Sequence, residues 1–282
     1  MEVSRDRASR MRPPAVLARY RSDRFSRPGL VPFLHLREME DAFIDAVPKG
    51  WDWVVPSPLV PVGTHVTLGR ISQDWVVTTV RANEVAADPT VSLALEAAAA
   101  RSDTSIRRTA APQRLATIQR ILRGQLYASP DAFTHFSIFA LVTAGRSQPG
   151  GRSDVEALEE QLGIYANALS RLAESVEFVL SAADTSAGRR LIENVRQRWD
   201  GSNDVLVSED RRRISEQRYY RRACFKVNAV IGRERIEIAD GGFTDWTERL
   251  LGDRHERLLI SGAGLDRPAH AGHQHARSQA DR

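Results

Sequence analysis

The stretch Ala223-Cys-Phe-Lys-Val-Asn-Ala-Val-Ile-Gly-Arg-Glu-Arg-Ile-Glu-Ile-Ala239 decides the fold. Up to Ile231 its side chains alternate, with Phe225, Val227, Ala229 and Ile231 on one face of a strand. Gly232 and Arg233 sit where a hairpin turns, and Glu234 to Ala239 returns with Ile236 and Ile238. A tight hairpin joins antiparallel neighbours, so the sheet that holds it is antiparallel here. Cys224 reads as a strand residue on the side away from Phe225, with no basic partner in view to make it a nucleophile.

Working outward, Asp240-Gly-Gly242 reads as a turn, Trp246 to Leu251 as a short helix and Arg257 to Ser261 as a final strand. Upstream, Ser153 and Glu156 have capping-box spacing. Val155, Leu158, Leu162, Tyr165, Leu169, Leu172, Val176 and Val179 then form one apolar stripe along a long amphipathic helix. A second helix spans Ser186 to Trp199. Still earlier, strands are expected at Arg114–Arg123, Phe136–Thr143 and Trp75–Val80, with a proline-broken β-rich run from Trp51 to Val60. Helices are expected at Phe33–Val47 and Thr90–Ala100, the latter capped by Asp88 or Thr90. Strands, an inserted helical pair and more strands describe an α+β domain, an antiparallel sheet flanked by helices, rather than regular βαβ units.

Composition agrees with a single large domain. The chain has 282 residues, 42% hydrophobic and 27% charged, which suffices for a sizeable core. No apolar run approaches the roughly 18 residues of a membrane span, and no secretory signal is read at the N-terminus. The single cysteine excludes an internal disulfide and fits a reducing cytoplasm. The net charge of +4 is unevenly placed, since eight arginines (Arg5, Arg7, Arg10, Arg12, Arg19, Arg21, Arg24 and Arg27) fall within the first 30 residues. They form either an arm drawn to phosphates or a solvated extension. Pro13, Pro14 and Pro28 argue against a regular basic helix, so residues 1–31 are taken as a disordered arm, 32–267 as the folded domain and 268–282 as a disordered tail. His270, His273 and His275 in that tail lack the rigid scaffold a metal site needs, and the metal, if any, stays unknown.

Three separated segments resemble the signature motifs of class II aminoacyl-tRNA synthetases, in the right order. The helix from Arg37 to Val47 leading to Val54-Val-Pro-Ser-Pro58 is similar to the first motif, which implies a homodimer with the strand near Pro58 at the interface. Pro112 to Gln125, followed by Phe133-Thr-His-Phe-Ser-Ile-Phe139, resembles the second: Arg123 takes the place of the arginine that grips the α-phosphate of ATP and the amino-acid carboxylate, with Phe136 on the return strand. A guanidinium suits that task because it stays charged and offers a planar fork of donors. Arg257-Leu-Leu-Ile-Ser-Gly-Ala-Gly-Leu-Asp-Arg267 resembles the third, which implies Gly262 and Gly264 against adenine, Arg267 on the γ-phosphate and Asp266 as its acidic neighbour.

Smaller matches resemble the histidyl type. Asp88-Pro-Thr90 is similar to the element holding the amino acid; Arg218-Tyr-Tyr220 to a tyrosine-bearing loop, bringing Tyr219 and Tyr220 to the substrate; and Asp240-Gly-Gly-Phe-Thr-Asp245 to a glycine pair, Gly241 and Gly242, flooring the pocket. The departures lie in the same places. Ser215 stands where that type keeps a catalytic arginine, Arg218 where it keeps an aspartate, Gln125 replaces a glutamate, and Val142 or Thr143 replaces the glutamate that receives the substrate ammonium. Arg213 or Arg218 offers a positive charge from a shifted position. The sequence ends about 15 residues after Arg267, without room for an anticodon-binding domain, so recognition of a tRNA anticodon is not expected.

The resemblance implies an ATP- and Mg²⁺-dependent ligase that activates an amino acid or related carboxylic acid as its adenylate, with Arg123 and Arg267 straddling the triphosphate. The acyl group would pass to an unidentified small molecule or carrier protein. The alternative is a non-catalytic regulatory subunit resembling that of ATP phosphoribosyltransferase, for which the losses at Ser215, Arg218 and Val142 would be harmless.

Overall fold

In the computed structural model the described residues are 8–79, 81–107, 111–125, 133–199, 202, 205–216 and 220–280. Helices α1 (Pro13–Ser22) and α2 (Phe33–Ala46) lead to three short strands, β1 (Asp52–Trp53), β2 (Leu59–Pro61) and β3 (Asn83–Val85). Helix α3 (Pro89–Arg101) and the single turn α4 (Thr104–Arg107) precede two long strands, β4 (Gln113–Leu122) and β5 (His135–Arg146). The middle of the chain runs α5 (Arg152–Leu169), β6 (Ser175–Ala182), α6 (Ser186–Trp199), β7 (Val205–Glu209) and the turn α7 (Arg213–Glu216). The hairpin β8 (Arg221–Ile231) and β9 (Glu234–Thr244) follows, then α8 (Trp246–Leu251), β10 (Glu256–Gly264) and α9 (Asp266–Ala280).

Eight strands form one sheet in the order β1-β4-β5-β10-β9-β8-β6-β7, and β2 pairs with β3 beside it. The interior pairings are antiparallel, as the hairpin requires; only the two edges, β1 on β4 and β7 on β6, are parallel. The β8–β9 turn has Gly232 and Arg233 at φ 60° and 71°, the positive pair whose twist matches that of the strands. The α+β expectation holds.

The sheet separates two cores. On one face α2, α5, α6 and α9 cover Phe139, Leu141, Phe178, Phe225, Leu259 and Ala263. On the other, α3 and α8 cover Leu115, Ala140, Val142, Leu258 and Ile260. Helix α3 can lie flat on β4, β5 and β10 because Ala94, Ala97 and Ala98 keep its contact surface small. It stops short of β9 and β8, and that is where the open part of the sheet lies.

Several expectations are corrected. The apolar stripe does not stay helical to Val179: α5 ends at Leu169, and Val176 and Val179 belong to β6, whose Val176, Phe178 and Leu180 are buried at period two. The spacing of three and four had continued by coincidence into a β-branched segment. Ser153 lies inside α5, whose N-cap is Gly151 at φ 74° with no side-chain cap, so there is no capping box. Asp240-Gly-Gly242 is not a turn but the interior of β9. Residues 75–79 form no strand; a 3₁₀ turn over Gln73–Trp75 and an isolated bridge, Thr78 to Glu84, replace it. Strand β7 had no counterpart in the sequence reading.

Both termini also carry helix. Pro13 and Pro14 begin α1, where a missing N–H costs nothing, although the helix buries none of its residues. Residues 268–280 continue α9, with Pro268 in its first turn.

Candidate functional site

The open face of the sheet forms a cavity of about 300 Å³. Ile138, Ile260 and Ala239 floor it, Gly262 and Gly264 form one side, and Asp88, Thr90, Arg123, Phe136, Tyr220, Glu237 and Asp240 supply its polar and aromatic groups. At this volume it sits at the lower limit of small-molecule pockets. A side chain at Gly264 would project into open space, so glycine there widens the mouth.

At one end, Asp88 caps α3 by accepting from the Thr90 amide at 2.9 Å and hydroxyl at 2.7 Å. Arg123 follows the end of β4. Its Nε donates to the Ala87 carbonyl at 2.9 Å, an Nη lies 3.7 Å from Asp88, and its guanidinium stacks 5.4 Å from the centre of the Phe136 ring.

The Ala87 backbone is itself held from below. The Ala87 amide donates to Nε2 of the fully buried His65 at 2.9 Å, so Nε2 carries no proton and Nδ1–H points to Glu84 Oε1 at 2.6 Å. Glu84 accepts also from the amides of His65 and Gly63 and from Gln73 Nε2, each at 2.9 Å. Burial alone would raise the Glu84 carboxyl; these donors outweigh it and bring its pKa down to about 2. Neither His65 nor Glu84 had been singled out in the sequence, because their roles depend on contacts 19 and 22 residues apart.

At the other end stands Asp240, on β9. It accepts from the Tyr220 hydroxyl at 2.5 Å and from the Arg213 guanidinium. Burial pushes the Asp240 carboxyl upward, and Arg213 and Tyr220 only partly offset it. Asp240 had been assigned to a turn; Arg213 had been offered only as a shifted positive charge. The third carboxylate, Glu237, pairs with Lys226 at 2.6 Å. Burial raises the Cys224 thiol to about 11, which leaves it inert beneath Tyr220.

The other expected residues lie elsewhere. Gly241 and Gly242 are one and two residues beyond Asp240, packed against Phe225 and Tyr220 rather than lining the cavity. Asp266 is buried and accepts from the Ser137 amide at 2.7 Å and Arg120 at 3.1 Å. Arg267 is 60% exposed, is not among the lining residues, and sits 3.7 Å from Glu234 at the hairpin end. The two arginines therefore do not converge on this cavity. Gln125 does not line it either. Val142 is fully buried under α3, and Thr143 faces α5, accepting from Gln161 at 3.0 Å. Arg218 and Tyr219 lie outside the described residues.

No family model and no curated protein sequence matches this chain. Solved structures do. The ATP phosphoribosyltransferase regulatory subunit/histidyl-tRNA synthetase of Bacillus halodurans C superposes with a TM-score of 0.63 at 13% identity, over 88% of this chain and 82% of that one. Apo histidyl-tRNA synthetase of S. aureus gives 0.62 at 14%, over 83% of this chain and 64% of that one. A structure described as the RNA binding domain of threonyl-tRNA synthetase from Cryptosporidium parvum Iowa II gives 0.63 at 10%, over 86% of this chain and 65% of that one. This chain thus spans under two thirds of the length of the last two. At such identities the likeness is one of fold: the chain has a class II synthetase-like core.

Proposed function

We propose that the chain is a binding protein for an amino acid or a closely related zwitterionic carboxylic acid, acting as a regulatory subunit rather than as a ligase. One observation carries this reading. Each carboxylate lining the cavity has its own cation: Asp88 with Arg123, Glu237 with Lys226 and Asp240 with Arg213. The site is close to neutral overall, yet its charges are spread over its two ends. Such a pocket suits a ligand carrying both signs, with its carboxylate on Arg123 and its ammonium toward Asp88 or Asp240.

ATP with Mg²⁺ fits the same cavity poorly. A triphosphate needs surplus positive charge, and Arg267, the second arginine of the expected grip, is engaged by Glu234. The B. halodurans neighbour is described as a regulatory subunit or a synthetase, and the first half of that description agrees better with this arrangement. The ligase reading keeps one support, the Arg123 guanidinium stacked on Phe136 at the cavity wall.

Calorimetric titration with the standard amino acids and simple carboxylic acids, alongside an ATP–pyrophosphate exchange assay, tests the proposal. Saturable binding of an amino acid, weakened at least about tenfold by Asp240→Asn, is expected, with no exchange. Exchange with any acid, abolished by Arg123→Ala, would establish the ligase instead. Absence of binding by every acid at millimolar concentration would end the regulatory reading.

As a further element of the proposal, the chain forms a homodimer through the surface around β1 and β2.

A further inference from the structure

His65 and Glu84 are both fully buried, and neither lines the cavity. For stability alone, apolar side chains of the same volume would serve that space at least as well as a carboxylate and a ring with two polar nitrogens. What apolar side chains could not do is hold a backbone amide at a fixed point. His65 does this for Ala87, and Ala87 is the residue whose carbonyl receives Arg123.

His65 is itself set in a fixed frame. It opens the tight turn His65–Gly69 that follows β2, and Arg249 fastens that turn to α8 by donating to the Thr67 carbonyl at 2.9 Å. Leu68 of the same turn is buried in the core that α3 covers. Glu84 holds the ring through Nδ1 and the start of the turn through the amides of Gly63 and His65. Beyond Ala87 the chain is held again, since Asp88 caps α3 and Pro89 enters the first turn of the helix with a restricted φ. The peptide plane that carries the Ala87 carbonyl thus has a fixed residue on each side.

Arg123 depends on that carbonyl more than on its other neighbours. The bond from its Nε is 2.9 Å long, within the normal range. The Asp88 contact, at 3.7 Å, is a charge attraction without the direction of a hydrogen bond. A guanidinium 5.4 Å from the Phe136 ring centre can slide across the ring face at little cost. Among the described residues the Ala87 carbonyl is therefore the one directional restraint on the guanidinium. The backbone beside it is tied to the same segment, because the Gly124 amide donates to the Trp75 carbonyl at 2.7 Å, and a Cβ at Gly124 would lie only 3.1 Å from that oxygen.

We infer that His65 is the positioning residue of the site: acting through the Ala87 amide and carbonyl, it aims the Arg123 guanidinium at the carboxylate of the ligand, while Glu84 keeps its ring in the tautomer that can do so. The inference rests on the amino-acid reading of the cavity for the identity of what Arg123 receives.

Two substitutions separate positioning from packing. In His65→Gln the side-chain amide oxygen reaches the place of Nε2 and can still accept from Ala87. In His65→Asn the amide reaches only the place of Nδ1, so Glu84 keeps a donor and Ala87 loses its acceptor. Phenylglyoxal closes a ring on a guanidinium whose nitrogens are free; mass spectrometry reads its rate at Arg123, with the 60% exposed Arg267 in the same sample as reference. His65→Asn should speed modification of Arg123 about fivefold, the equivalent of one lost hydrogen bond, while His65→Gln should stay within about twofold of the parent and neither should move Arg267. Titration with the standard amino acids and their amides gives the second readout. The acid that binds should weaken about fivefold in His65→Asn, and its amide, which lacks the carboxylate, should change by less than about twofold. Equal Arg123 rates in the two variants, or an unchanged rate in His65→Asn, overturn the inference. If His65→Asn does not fold, His65→Gln still decides: a rise of about fivefold at Arg123 there overturns the inference, and a rate within about twofold supports it. Should the parent bind no amino acid, the reading of the cavity fails, while the Arg123 rates judge the role of His65 on their own.

Discussion

Arg101 and Glu256 meet inside the protein, both almost wholly buried, through two parallel hydrogen bonds of 2.6 and 3.0 Å. In the sequence Arg101 is only a cation in the last turn of a helix, 155 residues from its partner; nothing local marks it as buried. Arg101→Met should cost about 3 kcal/mol, because a buried carboxylate would lose its two close hydrogen bonds and keep only looser charge contacts, with Arg146 at 3.6 Å and with Arg257. Urea unfolding would measure this, and adding Glu256→Leu should recover much of the loss. The pair Glu84 and His65 makes a different prediction. The Glu84 carboxyl is depressed from 4.5 to about 2 on folding, so its stabilisation is complete above the higher value and disappears as pH falls through the lower. Stability should drop by about 3 kcal/mol across that window. Glu84→Gln should flatten the dependence; unfolding curves at about pH 6 and about pH 3 that shift equally in both proteins would contradict it.

Strand β9 illustrates what elements add to residues. A Cβ at Gly242 would lie 2.5 Å from the Tyr220 ring and 2.7 Å from Cys224, and one at Gly241 would meet Phe225 at 2.5 Å. Gly242→Ala should therefore cost about 1–3 kcal/mol by overpacking and should push Tyr220 away from Asp240, weakening any ligand held there. Gly264→Ala, whose side chain would enter open space, is the matched control and should leave the thermal midpoint within about half a kcal/mol of equivalent stability. The same strand explains a misreading. Asp-Gly-Gly is turn chemistry when local propensity decides, but here the glycines are required by neighbours on β8 and β10, which no local pattern records. The hairpin, α2, α3 and α6 were legible because their periodicity or capping is local. So was the neighbourhood of Asp88, Thr90, Arg123, Phe136 and Tyr220. The polar end at Asp240 was not, since Arg213 and Asp240 acquire their roles only across the sheet.

At the scale of the molecule, apolar side chains gather outside the small β2–β3 sheet and the β1 edge. Val55 is 97% exposed, and Trp53, Val62, Val66, Trp75 and Val77 are exposed with it. Such a surface, next to a strand edge, is suited to covering by a second copy. If the proposed homodimer uses it, Val55→Asp should shift sedimentation from dimer to monomer without changing the far-ultraviolet circular dichroism; a monomeric parent protein would refute the interface. No helix among the described residues is long and apolar enough to cross a membrane.

The place of β10 has a consequence for synthesis. Among the described strands this one is made last, yet it inserts between β5 and β9 in the middle of the sheet and gives side chains to both cores. While the ribosome is still short of residue 264, β5 and β9 each present an unpaired, strongly apolar edge, together for about 1–4 s at ordinary elongation rates. The nascent chain is therefore most exposed to aggregation between the synthesis of β9 and that of β10, and its yield in cells should depend more on holdase chaperones during that interval than on the stability of the finished protein.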